Sequence, residues 1–449
     1  MQNKDYLNVL ENDLCIACGA CSFKNSDIQI KLNQLTGLFE PSTKSPVDDF
    51  SYCPSVKVDF EDLQLKIFGK QSNSVYGVID SVFLAQSKNF ERNLKASSGG
   101  LIKEIGKYYF ENFSDSEGII ALNEVGGLDY KPQLIKEFSE FDNLPGSIYH
   151  QINFEDALQI LNKVEKKAAI VAIPCVLEGI FNYIYQHNIN LKNKIDLTIG
   201  LLCGWTYSHK SLDAIAKYKK IDIPINKVSY RGGGPIGKLK IENDKKIFEF
   251  SRRVSFSYQV AFDRAFNSPR CLVCVDHSNY LSEIVIGDAW LPSTLFTKTG
   301  ISLIIARTPR ATEIIKGMKN QNQIECLEVS QEEILASQGP DIVNNTKALK
   351  RIDFLNKNSK YTPEFTLNSF IFKSESFDKE VKKEMVNIFK KRKLIKLNKF
   401  KKLFYRKLLI EINSLLKRYL IWFLKRILRV DSIKGKRKEL KFRELKIFK

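Results

Sequence analysis

The sequence has few histidines and no long apolar run. No stretch reaches the roughly 18 uninterrupted apolar residues that a membrane-spanning helix requires. The chain opens with polar residues, and no apolar run follows them, so we expect no secretory signal peptide. The four histidines are scattered. His150 and His277 could serve as proton donors, although an isolated histidine is more often structural.

The cysteine content is also low for a secreted, disulfide-rich protein. Nine cysteines in 449 residues do not form the dense framework of a small extracellular domain. With 43% apolar and 27% charged residues, the composition is that of a soluble globular protein, and the length allows two or three domains. We therefore expect a cytoplasmic protein in a reducing environment, where thiolates can bind iron.

Net charge is absent from most of the chain. The formal net charge is +19, and residues 390–449 contain 23 of the 70 Lys and Arg residues but only 4 of the 51 acidic residues. This C-terminal segment therefore carries +19, and the remainder is neutral. Any attraction to a charged surface belongs to this segment.

Three cysteines are spaced every third residue near the start of the chain, as Cys15, Cys18 and Cys21. Thiolates at this spacing allow one short loop to bind three corners of a 4Fe-4S cluster. No fourth cysteine follows directly, so a two-cluster ferredoxin module is not expected. Cys53, which precedes a proline, is the predicted fourth ligand. A structural zinc site is the alternative, but such sites usually contain two separated cysteine pairs.

The middle of the chain predicts an α/β structure. Two short apolar runs, 168–173 and 195–202, read as buried strands. They lead into Cys175 and Cys203, and ligands of open α/β sheets bind where strands end. Further predictions are strands over 75–87, 283–288 and 301–306, a hairpin over 238–250, helices over 101–109, 176–185 and 330–337, and a linker over 64–76.

Two glycine-rich segments and a second cysteine pair interrupt this pattern. Ser97–Gly100 precedes a helix and could offer free N–H groups to an anion, although an ordinary helix start is the simpler interpretation. In Arg231–Gly234, the glycines allow a close approach of the backbone, and the guanidinium could form a forked contact with a phosphate. Cys271 and Cys274 could be a redox dithiol, half of a zinc site completed by His277 or Cys326, or two ligands of a second cluster.

The basic C-terminal segment contains an amphipathic pattern between Glu411 and Val430. An apolar stripe occupies one helical face: Ile412, Leu415, Leu416, Tyr419, Leu420, Phe423 and Ile427. Lys417, Arg418, Lys425 and Arg429 lie mostly opposite. This pattern predicts a helix that lies in the interface of an anionic membrane. A helix packed on the body or on a partner is the alternative. Nucleic-acid binding is not expected, because no nucleic-acid-binding fold is recognisable.

The order of these features resembles the beta subunit of coenzyme F(420)-reducing hydrogenase and dehydrogenase, a flavin and iron–sulfur family. The similarity covers roughly residues 10–340. Its elements are Cys15-x-x-Cys18-x-x-Cys21, Ser97-Ser98-Gly99-Gly100, Gly146-Ser147-x-Tyr149, Pro174-Cys175, Cys203-Gly204, Tyr230-Arg231-Gly232-Gly233-Gly234, Cys271-x-x-Cys274-x-Asp276, Gly287-Asp288 and Arg307-Thr308.

The resemblance implies a ferredoxin-like 4Fe-4S module beside an α/β (α+β) core that holds FAD and a second 4Fe-4S cluster. The second cluster would be bound by Cys175, Cys203, Cys271 and Cys274, which leaves Cys326 as a plain thiol. The flavin would lie against Ser97, Ser98, Gly99, Gly100, Arg231, Gly232, Gly233, Gly234, Gly287 and Asp288. The predicted organisation is a ferredoxin-type module over 1–62, two parts of the core over 75–165 and 166–345, and a basic helical tail over 375–449.

We therefore expect an oxidoreductase that passes electrons from a ferredoxin-like donor through 4Fe-4S clusters to FAD and a small-molecule substrate. Standalone relatives often lie in polysaccharide or surface-glycan gene neighbourhoods, which favours a glycan precursor as the substrate. The chain departs from the family pattern at Ile148, Ala172 and Ala311, where flavin or substrate contacts are expected. The alternatives are a coenzyme F(420)-dependent oxidoreductase, a reductase of a pigment or unsaturated metabolite, and a non-catalytic scaffold stabilised by its clusters.

Overall fold

The computed structural model describes residues 2–72, 74–234, 237–294, 297–366 and 377–427. The strands are β1 (Gln29–Asn33), β2 (Leu38–Ser42), β3 (Lys57–Asp59), β4 (Ser81–Ser87), β5 (Ser116–Gly126), β6 (Asp129–Ile135), β7 (Lys167–Ala172), β8 (Ile195–Leu201), β9 (Lys227–Ser229), β10 (Lys238–Glu242), β11 (Ile247–Ser251), β12 (Ile284–Asp288), β13 (Ser302–Ala306), β14 (Ile324–Val329) and β15 (Glu364–Thr366).

The helices are α1 (Lys4–Glu11), α2 (Ala20–Lys24), α3 (Phe60–Phe68), α4 (Phe90–Lys95), α5 (Leu101–Asn112), α6 (Phe138–Asn143), α7 (Asp156–Lys163), α8 (Pro174–His187), α9 (Lys210–Lys219), α10 (Phe256–Ala261), α11 (Pro269–Leu272), α12 (Pro309–Asn320), α13 (Glu332–Lys357), α14 (Asp378–Lys396) and α15 (Phe400–Ile427). Short 3-10 turns occupy Ile189–Lys194 and Arg264–Phe266.

An eight-stranded sheet forms the centre of the molecule, in the order β14-β4-β13-β12-β8-β7-β5-β6. Strands β5, β7, β8 and β12 are parallel to their neighbours within this block. The strands on both flanks are antiparallel. The predicted α/β core is confirmed, as are strands β7, β8, β12 and β13 and the β10–β11 hairpin.

The central strands read as continuous apolar runs because both of their faces are covered. Successive residues of a strand point to opposite faces, so Ala168 and Ile170 pack with the side chains of α7 and α8. Ala169, Leu197 and Ile199 pack on the other face with α5 and α12. Further along the sheet, α13 covers residues of β4, β12 and β13.

The cysteine-rich N-terminal segment packs onto the α7–α8 side of the sheet. Its buried apolar residues share one hydrophobic core with those of α7 and α8. β1 and β2 form an antiparallel hairpin, and β3 pairs in parallel with β15, which follows α13. The segment is therefore joined to the shared hydrophobic core and to a strand from much later in the chain. The division into predicted domains and the ferredoxin-like character of this segment remain predictions.

Three predicted boundaries need correction. The linker predicted over 64–76 is helical as far as Phe68, because Leu63 and Gln64 are buried and Asp59 caps the start of α3. The strand predicted over 75–87 begins only at Ser81. The short helix predicted over 330–337 continues to Lys357 as α13, with Pro340 inside it. Burial of Ile342 and Ala348 offsets the backbone hydrogen bond that the proline cannot make.

The predicted C-terminal tail begins with a helix that packs on the body. Val381, Met385 and Ile388 of α14 are buried, and Glu384 pairs with Arg351 at 3.1 Å. The start of α15 is also fixed, where the ring of Phe404 stacks on Tyr218 with 3.8 Å between centroids. Of the predicted helix over 411–430, α15 contains the part up to Ile427, and 428–430 lie outside the described residues. No helix within the described ranges is long and apolar enough to cross a membrane.

Candidate functional site

A single cavity is lined by the four cysteines that are predicted to bind the first cluster. Cys15, Cys18, Cys21 and Cys53 all contribute to its wall. The loop that carries the first three turns sharply at Gly19, whose φ is +81°. A Cβ at this position would also lie 2.5 Å from the Cα of Glu155, so only glycine fits there.

Burial and backbone N–H groups act in opposite directions on the pKa values of these four thiols. Burial raises the pKa of Cys15 to about 12 and that of Cys18 to about 11. Burial also raises the pKa values of Cys21 and Cys53 well above the ordinary value. Backbone N–H groups oppose this rise at each thiol: Ala17 at Cys15, Ala20 at Cys18, Ser22 at Cys21 and Ser55 at Cys53. An isolated thiolate is unfavourable here, whereas a metal-bound one is stabilised by these donors.

The second group of cysteines comes together at one edge of the sheet. β7 and β8 are parallel neighbours, so their carboxyl ends deliver Cys175, at the start of α8, and Cys203 to the same edge. Cys271 lies in α11, and Cys274 follows it. The pKa of Cys175 is raised chiefly by burial, and the charges of Glu178 and the other three thiols raise it further. The four thiols are thus close enough to act on one another.

A backbone and a side-chain donor also reach this second group. The N–H of Thr206 donates to Cys271 Sγ at 3.3 Å, and Thr206 Oγ1 lies 3.4 Å from the same sulfur. Burial raises the pKa values of Cys203 and Cys274, the latter to about 12. Burial thus raises the pKa values of Cys203 and Cys274 as it does those of the first group.

The two cysteine groups are neighbours across the first turns of α8. A Cβ added at Gly179 would lie 2.5 Å from Cys18 Sγ and 3.4 Å from Pro54 Cγ. Cys175 lies one turn earlier on the same helix. Arg270, next to Cys271, donates from Nη2 to the carbonyl oxygen of Pro54 at 3.3 Å. One helix and one arginine thus connect the two groups directly.

Two buried charges lie at this junction, and the sequence analysis did not identify them. Arg270 Nη2 donates to Glu178 Oε2 at 2.7 Å, and the two side chains are 1% and 0% exposed. Both residues carry a recognisable signal. Glu178 is the single acid in the otherwise apolar first half of α8, and Arg270 directly precedes the Cys-x-x-Cys pair. Neither feature of the sequence predicts that Glu178 and Arg270 are in contact.

The residues predicted to hold a flavin also come together. Arg231 forms two parallel hydrogen bonds with Asp288, each of 2.9 Å, and it also donates to the carbonyl oxygen of Ser97. Its guanidinium carbon lies 5.4 Å from the ring centre of Trp290. The guanidinium of Arg231, which was predicted to contact a phosphate, therefore binds the carboxylate of Asp288.

The serine–glycine segment is anchored to the neighbouring strand. Ser98 Oγ donates to the carbonyl oxygen of Ile301 at 3.1 Å, and the N–H of Gly99 donates to Ser302 Oγ at 2.9 Å. Gly99 must be glycine, because a Cβ there would lie 2.7 Å from the carbonyl oxygen of Ala85. α5 begins after Gly100 without a side-chain cap, so the start of the helix keeps its capacity to bind an anion.

A series of hydrogen bonds leads from the second cysteine group to Asp288, one of the residues predicted to hold the flavin. His277 Nδ1 lies 2.9 Å from the carbonyl oxygen of Cys203, and its Nε2 lies 3.0 Å from Gln338 Oε1. Gln338 in turn donates to the carbonyl oxygen of Asp288 at 2.5 Å. Gln338 was not predicted as a site residue, because it lies on α13 beyond the predicted end of that helix.

Two other predicted roles can be compared with the structure. Cys326 lies in β14 at the sheet edge, packed against the apolar core between the sheet and α12. His150 is buried, with its Nδ1 2.5 Å from the hydroxyl of Tyr230 and its Nε2 2.9 Å from the carbonyl oxygen of Leu128. Burial lowers the pKa of His150 to about 3, so this imidazole is neutral.

Comparison with known proteins finds a family match around the second cysteine group. Residues 165–332 match the family model that describes the C terminus of the beta subunit of coenzyme F(420) hydrogenase/dehydrogenase. The predicted family resemblance is thereby confirmed over these residues. The matched segment contains Cys175, Cys203, Cys271 and Cys274, whereas the first cysteine group lies outside it. The family consists of oxidoreductase subunits, so the matched segment is similar to part of an oxidoreductase.

One solved structure with detectable similarity is a xenon-derivatised F(420)-reducing NiFe hydrogenase complex from Methanosarcina barkeri. The identity is 19%, the TM-score is 0.48, and the match covers 62% of this chain and 94% of that chain. No curated protein matches the chain.

Proposed function

We propose that the protein is an iron–sulfur flavoprotein oxidoreductase that transfers electrons from a ferredoxin-like donor, through two 4Fe-4S clusters and FAD, to a small-molecule substrate. The observation that carries the proposal is the pair of adjoining cysteine groups, each of four thiols. Bound clusters would exchange single electrons, and FAD would convert these to the two-electron chemistry of a substrate. The residues of the chain would hold, orient and shield these groups.

The first donor set suits a cluster better than a zinc ion. Four thiolates around one zinc ion converge at about 2.3 Å from the metal, whereas a four-iron cube is bound at its separate corners by four cysteines. The four thiols of the first group line one cavity, and a shared space of this kind suits the larger group.

We place the flavin beside Ser97 and Asp288. The start of α5 supplies backbone donors, while Trp290 and Tyr149 supply aromatic surface beside Arg231. Because Arg231 is already paired with Asp288, we assign it to positioning Ser97 rather than to a direct phosphate contact. The contacts from Cys203 through His277 and Gln338 to Asp288 connect this site to the second cysteine group.

We propose two candidate substrates. A glycan precursor is favoured by the gene neighbourhoods of similar standalone proteins. Use of coenzyme F(420) itself is the second candidate, because the matched family takes its name from that coenzyme. The non-catalytic scaffold would bind clusters but would not reduce a flavin.

Reduction of the bound flavin tests the function directly. In anaerobically purified protein, we expect a reduced low-potential ferredoxin to bleach the flavin absorbance. Cys53→Ser should slow this bleaching at least tenfold, because electrons can no longer enter through the first cluster. Dithionite serves as the control donor, since it can reach the flavin independently. A flavin that ferredoxin reduces equally fast in both proteins would contradict the proposed electron path.

We further propose that α15 and the basic residues that follow it bind the inner face of an anionic membrane. Leu415, Leu416 and Leu420 are 54–61% exposed on α15, although they belong to the apolar stripe. Lys417 and Arg418 are exposed beside them. Each basic residue near an anionic surface contributes about 1 kcal/mol, and the apolar stripe can enter the interface. No surface of the body covers these side chains within the described part of α15.

Vesicle sedimentation tests this membrane proposal. We expect the full chain to pellet with anionic vesicles, less at high salt, and to stay in solution with neutral vesicles. A chain that ends at Lys407 keeps the packed start of α15 and should not pellet. Leu415→Ser/Leu416→Ser removes apolar contact without changing charge, and it should weaken binding at least fivefold. Equal pelleting of the truncated and full chains would contradict the proposal.

A further inference from the structure

The buried Glu178–Arg270 pair is incompletely hydrogen-bonded. Placing two charges inside a protein is favourable only when their remaining donors and acceptors are also satisfied. Arg270 uses Nη2 for both Glu178 and the carbonyl oxygen of Pro54. Its Nε and Nη1, and Oε1 of Glu178, have no hydrogen-bond partner among the residues that the structure describes. A fully buried guanidinium with two unused N–H groups indicates a missing acceptor.

The unused donors of Arg270 lie beside the second cysteine group. Arg270 directly precedes Cys271 in α11, and its partner Glu178 lies one turn after Cys175 on α8. The contact with the first group, at the carbonyl oxygen of Pro54, uses Nη2, the same atom that binds Glu178. We therefore assign the unused Nε and Nη1 to the second group.

Sulfur atoms of a bound cluster would provide the acceptors that the structure lacks. The reduction potential of an iron–sulfur cluster depends on the hydrogen bonds to its sulfurs and on nearby charge. An added electron makes the cluster more negative, so a fixed guanidinium beside it stabilises the reduced form. Because a guanidinium is always charged, Arg270 would shift the reduction potential of the cluster permanently and would not act as a switch.

We propose that Arg270, held in place by Glu178 and the carbonyl of Pro54, donates from Nε and Nη1 to a cluster bound by the second cysteine group and so raises its potential above that of the first. This inference depends on the proposed function, because both clusters must be present. With both clusters bound, an electron would pass from the first cluster to the second, and a ferredoxin-like donor would reduce the first cluster again.

Arg392 provides a matched comparison for Arg270. It also lies close enough to Cys271 for their charges to interact. Its Nε and Nη2, however, donate to the carbonyl oxygens of Ala265 and Asn267 at 3.3 and 2.8 Å. Arg392→Gln removes a positive charge near the second group, whereas Arg270→Gln removes a charge together with the unused donors.

Redox titration followed by electron paramagnetic resonance measures the effect. With full-length anaerobic protein, we expect Arg270→Gln to lower the reduction equilibrium constant of the second cluster at least tenfold, about 59 mV for a one-electron couple. Arg392→Gln should lower it less than threefold. Arg270→Lys keeps the charge but lacks the planar fork, so its effect should be intermediate. The first cluster should shift less than the second in every variant.

The double variant Glu178→Gln/Arg270→Gln keeps the test decisive if the single variant loses iron. It leaves no unpaired buried charge. Because the negative charge of Glu178 is removed together with the positive charge of Arg270, only the lost donors act, and the reduction equilibrium constant of the second cluster should fall about threefold. Wild-type potentials in an iron-replete variant of either kind would overturn the role of Arg270. Wild-type protein without a second cluster would overturn the proposed function instead, so the two failures can be distinguished by iron content.

Discussion

Cys175→Ser is expected to lower bound iron from about eight to about four atoms per chain, because one 4Fe-4S cluster of the two should be lost. Serine keeps the size of the side chain but is a poor ligand for iron. Cys175 is held at the start of α8, where the charges of the other three thiols of its group act on it. Iron and sulfide analysis of anaerobically purified protein measures the change.

Cys326→Ser is the matched control for this substitution. Cys326 is also half-buried, but it lies in β14 at the sheet edge. We expect the Cys326→Ser protein to keep about eight irons. An unchanged iron content in Cys175→Ser would show that this residue is not a ligand, and iron loss in Cys326→Ser would show that the assignment of the ninth cysteine is wrong.

Gly179→Ala is expected to disturb the first cluster, although Gly179 lies on α8, the helix that carries Cys175 of the second group. The added Cβ would lie 2.5 Å from Cys18 Sγ and 2.8 Å from Cys18 Cβ, so the loop of the first group must move. Overpacking of this kind typically costs about 1–3 kcal/mol of the free energy of unfolding. We expect loss of the iron held by the first group, while the spectrum of the second cluster is retained.

Gly339→Ala is the control for a glycine inside a helix. Its Cβ would meet only Leu335 Cδ1, at an ordinary 3.7 Å. Because alanine favours helix over glycine by about 1 kcal/mol, this variant should be as stable as the parent protein or more so in urea unfolding. If Gly179→Ala also keeps full iron and stability, the close contact between the two cysteine groups would be contradicted.

The parts of the fold that could be predicted from sequence are those set by local pattern. The apolar runs before Cys175 and Cys203 are too short for helices and are rich in alanine, isoleucine and leucine, and they form β7 and β8. Their carboxyl ends meet because the strands are parallel. The grouping of the cysteines therefore followed from strand position together with the family resemblance.

Long-range partners could not be predicted in this way. The sequence offered Arg231 as a phosphate ligand, but nothing local to it indicates that Asp288, 57 positions away, receives its fork. Glu178 and Arg270 are 92 positions apart and meet only because α8 and α11 pack together. The length of α13 was missed for the same reason, since tertiary burial of Ile342 and Ala348 outweighs the local effect of Pro340.

The central claim is that the chain binds two 4Fe-4S clusters and one flavin. Its most direct test is iron, sulfide and flavin analysis of full-length protein purified without oxygen, together with an optical spectrum. We predict about eight irons and eight sulfides per chain, as two 4Fe-4S clusters require, with FAD bound in an equal amount to the protein. Protein that contains zinc, or neither iron nor flavin after reconstitution, would contradict the claim.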